Sequence, residues 1–270
     1  MAVDEGTYLY CFARPNAAGG LTSPGVDGRP GVAAICAANL AAVCSQARVE
    51  EFSPAAATDR APDPEWLIPR VCRHQAVIEE VMARSPVLPV RFGALFSSPS
   101  AVQTVMETQA TQIDRFLAYA AEKQEWAVKG FLSMKAAAAW RLEAEPGLNA
   151  CRPELAVSPG KRYFQQKQLH AAAEREARQW ARTVAAEILD ALKDVAVESR
   201  TLKPQPAQLT GKTDEMSLNL AFLVPEQRVD EFHARVEAVG ACYLERGLTL
   251  ERTGPWPPFS FCPSLEEAIG

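Results

Sequence analysis

Gly211-Lys212-Thr213 carries the ending of a phosphate-binding loop, G-x-x-x-x-G-K-[ST], in which glycines let backbone amides cradle phosphates and a lysine reaches the outer ones. Pro206 stands where the first glycine is required, and the segment leads into an alternating apolar run where the cradle needs a helix N-terminus. Gly160-Lys161 fails the same test, with Leu155 at the earlier glycine position. The three histidines, His74, His170 and His233, fall on different expected helices with no second ligand at metal spacing. His74 sits in an apolar stripe and is expected to be a hydrogen-bonded core imidazole; His170 and His233 are expected to be exposed or marginal. The chain has no G-x-S-x-G, H-E-x-x-H or G-x-G-x-x-G after a strand, and its adjacent acid pairs Glu50-Glu51, Glu79-Glu80 and Glu266-Glu267 read as solvated surface. No catalytic residue, cofactor or metal is expected.

Binding chemistry is better represented. Lys161 and Arg162 open a helix, where positive charge opposes the macrodipole, so an internal carboxylate or an acidic partner should offset them. Gly254-Pro255-Trp256-Pro257-Pro258-Phe259-Ser260-Phe261 presents three aromatic rings on stiff, donor-poor backbone that cannot form a central strand. Such rings dock well, either against the chain's own other domain or against another protein. Lys161, Arg162, Tyr163, Trp256, Phe259 and Phe261 are therefore the candidate partner contacts. Arg91, between an apolar run and Phe92-Gly93, is expected to be buried with a carboxylate. The seven cysteines are scattered without a C-x-x-C pair and read as small buried hydrophobes.

These residues need elements to hold them, and the composition supplies the means. The 270 residues are 48% hydrophobic and 23% charged with a net charge of −5, which suits one large or two modest globular domains. There are 13 basic and 16 acidic residues up to position 150, and 15 and 17 beyond it, so no basic face for nucleic acid is expected. The longest uncharged run, Pro30 to Ala47, is 18 residues but rich in alanine and opens Pro-Gly, which argues for strand or short helix and against a membrane span. The acidic start, Met1-Ala2-Val3-Asp4-Glu5, is unlike a secretory leader, so a cytoplasmic location is expected.

Period-two patterning predicts strands at Thr7–Ala13, Val32–Ile35, Leu40–Val43, Val87–Phe92, Trp126–Leu132, Met216–Val224 and Leu248–Arg252. Helical stripes run through Leu67, Val71, His74, Ile78 and Val81, and through Val102, Met106, Gln109, Ile113, Leu117 and Ala120 on one helix from Ser100 to Lys123. A short helix follows at Lys135–Glu145. A long helix with Ser158 as N-cap and Pro159 at its first position should reach Val195, with the seam Leu169, Ala173, Ala177, Trp180, Val184, Ile188, Ala191 and Val195. A further helix after Pro225 carries Val229, Phe232, Val236 and Val239. Loops are expected at Pro15–Pro30 and Ser53–Pro64. Pro146-Gly147 and Pro153 mark a junction, so two α+β domains, 1–150 and 151–270, are expected.

Four stretches together resemble the gas vesicle protein family GvpF/GvpL: Tyr8-Leu9-Tyr10, Leu88-Pro89-Val90-Arg91-Phe92-Gly93, Glu125-Trp126 and Gly254-Pro255-Trp256-Pro257-Pro258-Phe259, with Trp66 and His74 ahead of the second. The resemblance spans nearly the whole chain. It implies an N-terminal ferredoxin-like α+β domain, a C-terminal α+β domain, and a cytoplasmic accessory protein needed to form gas vesicles. It also implies binding of the small shell protein GvpA, contact with other gas vesicle proteins and a minor place at the gas-facing surface. Two other classes stay open on the residues alone: a small-molecule sensor using an interdomain cleft, and a ferredoxin-like α+β enzyme, either of which needs convergent polar groups in a pocket.

Overall fold

The computed structural model describes residues 4–17, 19–52, 63–144 and 159–263. Its chain divides into two units, Met1–Gln124 with Trp256–Gly270, and Glu125–Pro255. The boundary lies earlier than the expected junction near residue 150, because the strand that begins at Lys123 joins the second sheet, and the last 15 residues return to the first unit.

In the first unit the elements are β1 (Glu5–Ala13), β2 (Ala33–Ala37), β3 (Leu40–Arg48), α1 (Val49–Phe52), α2 (Pro64–Met82), β4 (Val87–Pro89), β5 (Leu95–Phe96), α3 (Pro99–Thr108) and α4 (Ala110–Ala120). The antiparallel sheet has the order β2-β3-β1-β4, and β5 pairs with β1 beyond β4. Helix α2 packs on β1 and β4, while α3 packs on β1, β2, β3 and β5. Every residue of β1 after Glu5 is accordingly buried, as its two-faced apolar pattern requires. Asp63 caps α2 by accepting the Glu65 N–H at 3.0 Å, with Pro64 at the first helical position. Its buried stripe is His74, Val77, Ile78 and Val81; Val71 is exposed, so the stripe starts later than the spacing suggested.

The single helix expected from Ser100 to Lys123 is two helices joined at Gln109, whose φ of −106° and ψ of 9° leave the helical region. The Thr108 hydroxyl donates to the Thr104 and Val105 carbonyls at 2.8 and 3.2 Å, a back-bonding that bends the helix just before the break. The apolar stripe survives the kink, as Val102, Val105 and Met106 before it and Ile113, Phe116 and Leu117 after it are all buried.

The second unit contains β6 (Lys123–Leu132), α5 (Met134–Ala144), α6 (Pro159–Leu192), β7 (Glu198–Thr201), α7 (Ala207–Thr210), β8 (Glu215–Pro225), α8 (Val229–Leu244) and β9 (Leu248–Trp256). Its sheet order is β7-β8-β6-β9. Numbered within the unit, the strands lie 2-3-1-4 with helices in both crossovers, the β-α-β-β-α-β plan of a ferredoxin-like fold. The first sheet has the same order, with a loop in place of the first crossover helix. The ferredoxin-like pattern thus describes both units.

Helix α6 spans 34 residues, beginning at Pro159 as expected; the proposed cap Ser158 and the Pro146–Pro153 junction lie outside the described residues. Its buried seam is Ala173, Ala177, Ala181, Val184, Ile188 and Leu192. Ala191 is exposed and Leu192 is buried in its place, a correction of one position where the helix passes into the 3-10 turn Lys193–Val195. From Ala177 onward the seam packs with Val128, Leu132, Leu218, Leu220, Phe222 and Phe232 in one core.

Candidate functional site

The residues with the most chemical potential converge on the first unit's core, where they are consumed by structure. His74 on α2 is buried; its Nε2–H donates to the Val90 carbonyl at 3.1 Å, which leaves Nδ1 to accept from the Tyr8 hydroxyl at 3.0 Å. That hydroxyl in turn accepts the Gly93 N–H at 3.0 Å. The Val90–Gly93 segment is therefore pinned at two backbone points by a Tyr–His relay. Phe92 packs its ring among Tyr8, Phe52, Trp66 and His74, and Arg70 lies 4.6 Å over Trp66 while pairing with Glu51 at 2.8 Å.

Burial drives the titration of this cluster. It lowers His74 to about 4, with the bond to Val90 opposing the shift, and raises Tyr10 to about 12 and Tyr8 further. Tyr10 accepts the Val26 N–H at 2.7 Å and shares a hydrogen bond with Ser45 at 2.7 Å. A neutral imidazole with both nitrogens engaged and phenols held protonated are supports of the fold, and the expected core role of His74 is met. Arg91 is exposed, contrary to its expected burial, because the segment directs Val90 and Phe92 inward and leaves Arg91 facing out.

Glu80 was expected to be solvated surface and is instead a clasp. Its carboxylate accepts from the Thr22 N–H and hydroxyl at 2.8 and 3.0 Å and from the Ser23 N–H at 2.9 Å, fastening the loop after β1 to α2. Desolvation raises its pKa, and the hydrogen bonds from Ser23 and Thr22 outweigh that and hold it at about 2. The signal available in the sequence was a Thr-Ser pair of potential donors in a glycine-rich loop, which names no partner.

The partner-contact candidates fall in two places. Lys161 and Tyr163 lie in the first turns of α6, where both are exposed, Tyr163 at 70% with Phe164 beside it; Arg162 occupies the same helical turn. Trp256, Phe259 and Phe261 belong to the first unit. Trp256 ends β9, an edge strand as the prolines require, and Phe259–Phe261 form a 3-10 turn. Trp256 and Phe259 are 37% and 36% exposed, whereas Phe261 is 5% exposed, so its ring serves the core and not the surface. The peptide bond Gly254–Pro255 is cis, and Gly254 has φ of 142°.

Lys212, the lysine of the truncated phosphate-loop pattern, pairs with Glu251 and lies 4.5 Å over Phe131, and Gly211 is a left-handed helix cap. Among the described residues no three His, Cys, Asp or Glu side chains are grouped to hold a metal ion, and no helix is long and apolar enough to cross a membrane. Cys11 and Cys44 are buried as expected; Cys36, Cys72 and Cys242 are exposed, and Cys151 lies outside the described residues. An open groove between α8 and β9 is lined by Val236, Gly240, Leu244, Thr249, Leu250 and Arg252.

Comparison with known proteins gives this geometry a context. The family described as gas vesicle synthesis protein GvpL/GvpF matches residues 6–263. Gas vesicle protein L of Streptomyces sp. is 28% identical over 273 residues, covering 100% of this chain and 97% of that protein. Gas vesicle protein F of Streptomyces sp. is 27% identical over 201 residues, covering 73% and 80%. The crystal structure of GvpF from Anabaena sp. aligns with a TM-score of 0.70 at 19% identity, over 96% of this chain and 99% of that one. GvpF from Microcystis aeruginosa aligns at 0.66 and 23% identity, with the same coverage. At these identities the two structures establish the fold.

Proposed function

This chain belongs to the gas vesicle synthesis protein GvpL/GvpF family and so to gas vesicle assembly; from that premise we propose that it works as a non-catalytic binding component that holds the shell protein GvpA. A shell of small amphipathic subunits must be gathered while its apolar surfaces are still exposed to water, and a cytoplasmic protein that offers aromatic surface can hold them without chemical change. In this reading the chain stays with the finished vesicle as a minor component at the gas-facing surface and meets other gas vesicle accessory proteins there.

The observation that carries the proposal is the family match across both units, 6–263. The engagement of His74, Tyr8, Tyr10 and Glu80 in internal hydrogen bonds supports a non-catalytic role. Lys161, Arg162, Tyr163, Trp256 and Phe259 are the proposed contacts; Phe261 supports the turn that carries Phe259.

The test is capture of purified GvpA by the tagged full chain and by a Tyr163→Ala, Trp256→Ala, Phe259→Ala variant whose circular dichroism matches the parent. Capture by the parent and at least a tenfold loss in the variant are expected, since buried aromatic anchors carry ~2 kcal/mol or more each at interfaces. Undiminished capture by the folded variant would remove the contact assignment, and no capture by the parent would contradict GvpA binding.

A further inference from the structure

A sheet edge exposes unpaired backbone groups, and proteins ordinarily guard such edges with charge, proline or brevity. Among the described residues every outer strand but one is guarded. β7 reads Glu-Ser-Arg-Thr, β9 carries Glu251, Arg252 and Pro255, β4 is three residues ending in Pro89, and β5 is only two residues long. β2 is Ala-Ala-Ile-Cys-Ala, with neither charge nor proline, inside the uncharged run Pro30 to Ala47.

The hairpin register fixes which backbone groups this edge presents. Ala38 and Asn39 both have positive φ, 49° and 59°, the geometry of a two-residue type I′ turn, and Ala37 pairs with Leu40, Ile35 with Ala42 and Ala33 with Cys44. In such a hairpin these three are the hydrogen-bonded pairs, so Ala34 and Cys36 direct their N–H and C=O away from β3. Beside the edge, α3 packs on β2 and exposes Ser100, Gln103, Thr104 and Thr108, with Glu107 the one charge among α3's exposed side chains. Charge depletion of this kind marks the centres of protein interfaces.

We propose that β2 is a self-association edge that pairs antiparallel with β2 of a second copy of this chain, about a two-fold axis at Ile35. A closed two-fold interface must be self-complementary, and this strand is. Centring on Ile35 places Ala34 opposite Cys36 of the other copy on both sides, so that two N–H and two C=O groups from each chain are satisfied and all of Ala33–Ala37 overlaps. Neutral side chains meet at every position, Ile35 against Ile35 at the axis and small residues on either side, and the chain's net charge of −5 is not brought together there. A five-residue strand pair buries well under the ~1,200 Å² of a standard interface, so the dimer is a weak one that forms where copies are concentrated.

Ala34→Pro removes one outward N–H and leaves the β2–β3 bonds intact, since edge strands accept proline where the amide faces outward. Sedimentation equilibrium of the full chain should show mass rising with concentration from 29.4 kDa toward twice that value, and Ala34→Pro or Cys36→Lys should hold it at 29.4 kDa. With Cys36, Cys72 and Cys242 replaced by Ser, Ile35→Cys should give a disulfide-linked dimer under mild oxidation, because residues facing each other across a non-hydrogen-bonded pair lie about 4.5 Å apart at Cα. Adding Ala34→Pro should abolish that crosslink. A parent that stays monomeric at all concentrations overturns the proposal, even if Ala34→Pro lowers capture of GvpA, as does a crosslink or a dimer indifferent to Ala34→Pro and Cys36→Lys.

Discussion

At Tyr8 one buried hydroxyl serves two partners, donating a hydrogen bond to His74 and accepting one from the Gly93 amide. Tyr8→Phe keeps the ring but leaves both partners short of a bond, which should lower unfolding free energy by about 1–3 kcal/mol in denaturant titration. The pH dependence follows from the same burial. His74 is lowered from 6.5 to about 4 in the folded protein, so the unfolded chain takes up its proton first and stability should fall as pH drops from 6.5 to about 4, by on the order of 2–3 kcal/mol. Glu80, held at about 2, contributes stability that is complete above its unfolded value of 4.5 and is lost as pH falls toward 2. Urea titrations between pH 7 and 3 check the first window, and His74→Leu should flatten it. Apolar spacing placed His74 in the core, because periodicity reports which face a residue shares. It could not report Glu80's clasp or Arg91's exposure, since both depend on where a distant loop or a strand end comes to lie.

Elements followed the apolar pattern wherever one face was buried, and departed from it where polar side chains acted on the backbone. The Thr108 hydroxyl marks the break between α3 and α4, a bend that the intact apolar stripe conceals. The β2–β3 hairpin was visible only as two weak runs, because its turn, Ala38-Asn39, lacks the glycine that usually announces one. Ala38 in the left-handed region is strained, so Ala38→Gly should stabilise the first unit by ~1 kcal/mol in thermal or chemical unfolding. The opposite holds at Gly254, where φ is 142° and a Cβ would stand 2.9 Å from the Glu125 carbonyl oxygen. Gly254→Ala should cost at least ~2 kcal/mol and lower the yield of folded protein.

Across the whole molecule, composition and alternating strand and helix patterns were enough for two α+β units, but the boundary was not legible. Proline and glycine near residue 150 mark a loop, whereas the units are defined by which sheet β6 joins and by the return of Trp256–Gly270 to the first unit. Separate fragments 1–150 and 151–270 should therefore fail: the second loses β6 from between β8 and β9, with Trp126, Val128 and Leu132 from its core, and should show no cooperative thermal transition by circular dichroism. The recognisable motifs located the family and the surface candidates, while the partners of buried polar groups came only with the fold. The account rests on the proposal that this protein serves gas vesicle assembly by binding and not by catalysis. Its most direct test is complementation of a deletion strain by the parent, by the Tyr163→Ala, Trp256→Ala, Phe259→Ala variant and by a variant in which Glu237 and Arg252, the charged side chains lining the groove between α8 and β9, are replaced by Ala, counting vesicles by electron microscopy. Vesicles restored by the parent and by the variant lacking the charged side chains, and lost or misshapen with the aromatic variant at equal protein level, are the predicted result; normal vesicles in the deletion strain, or full rescue by the aromatic variant, would contradict it.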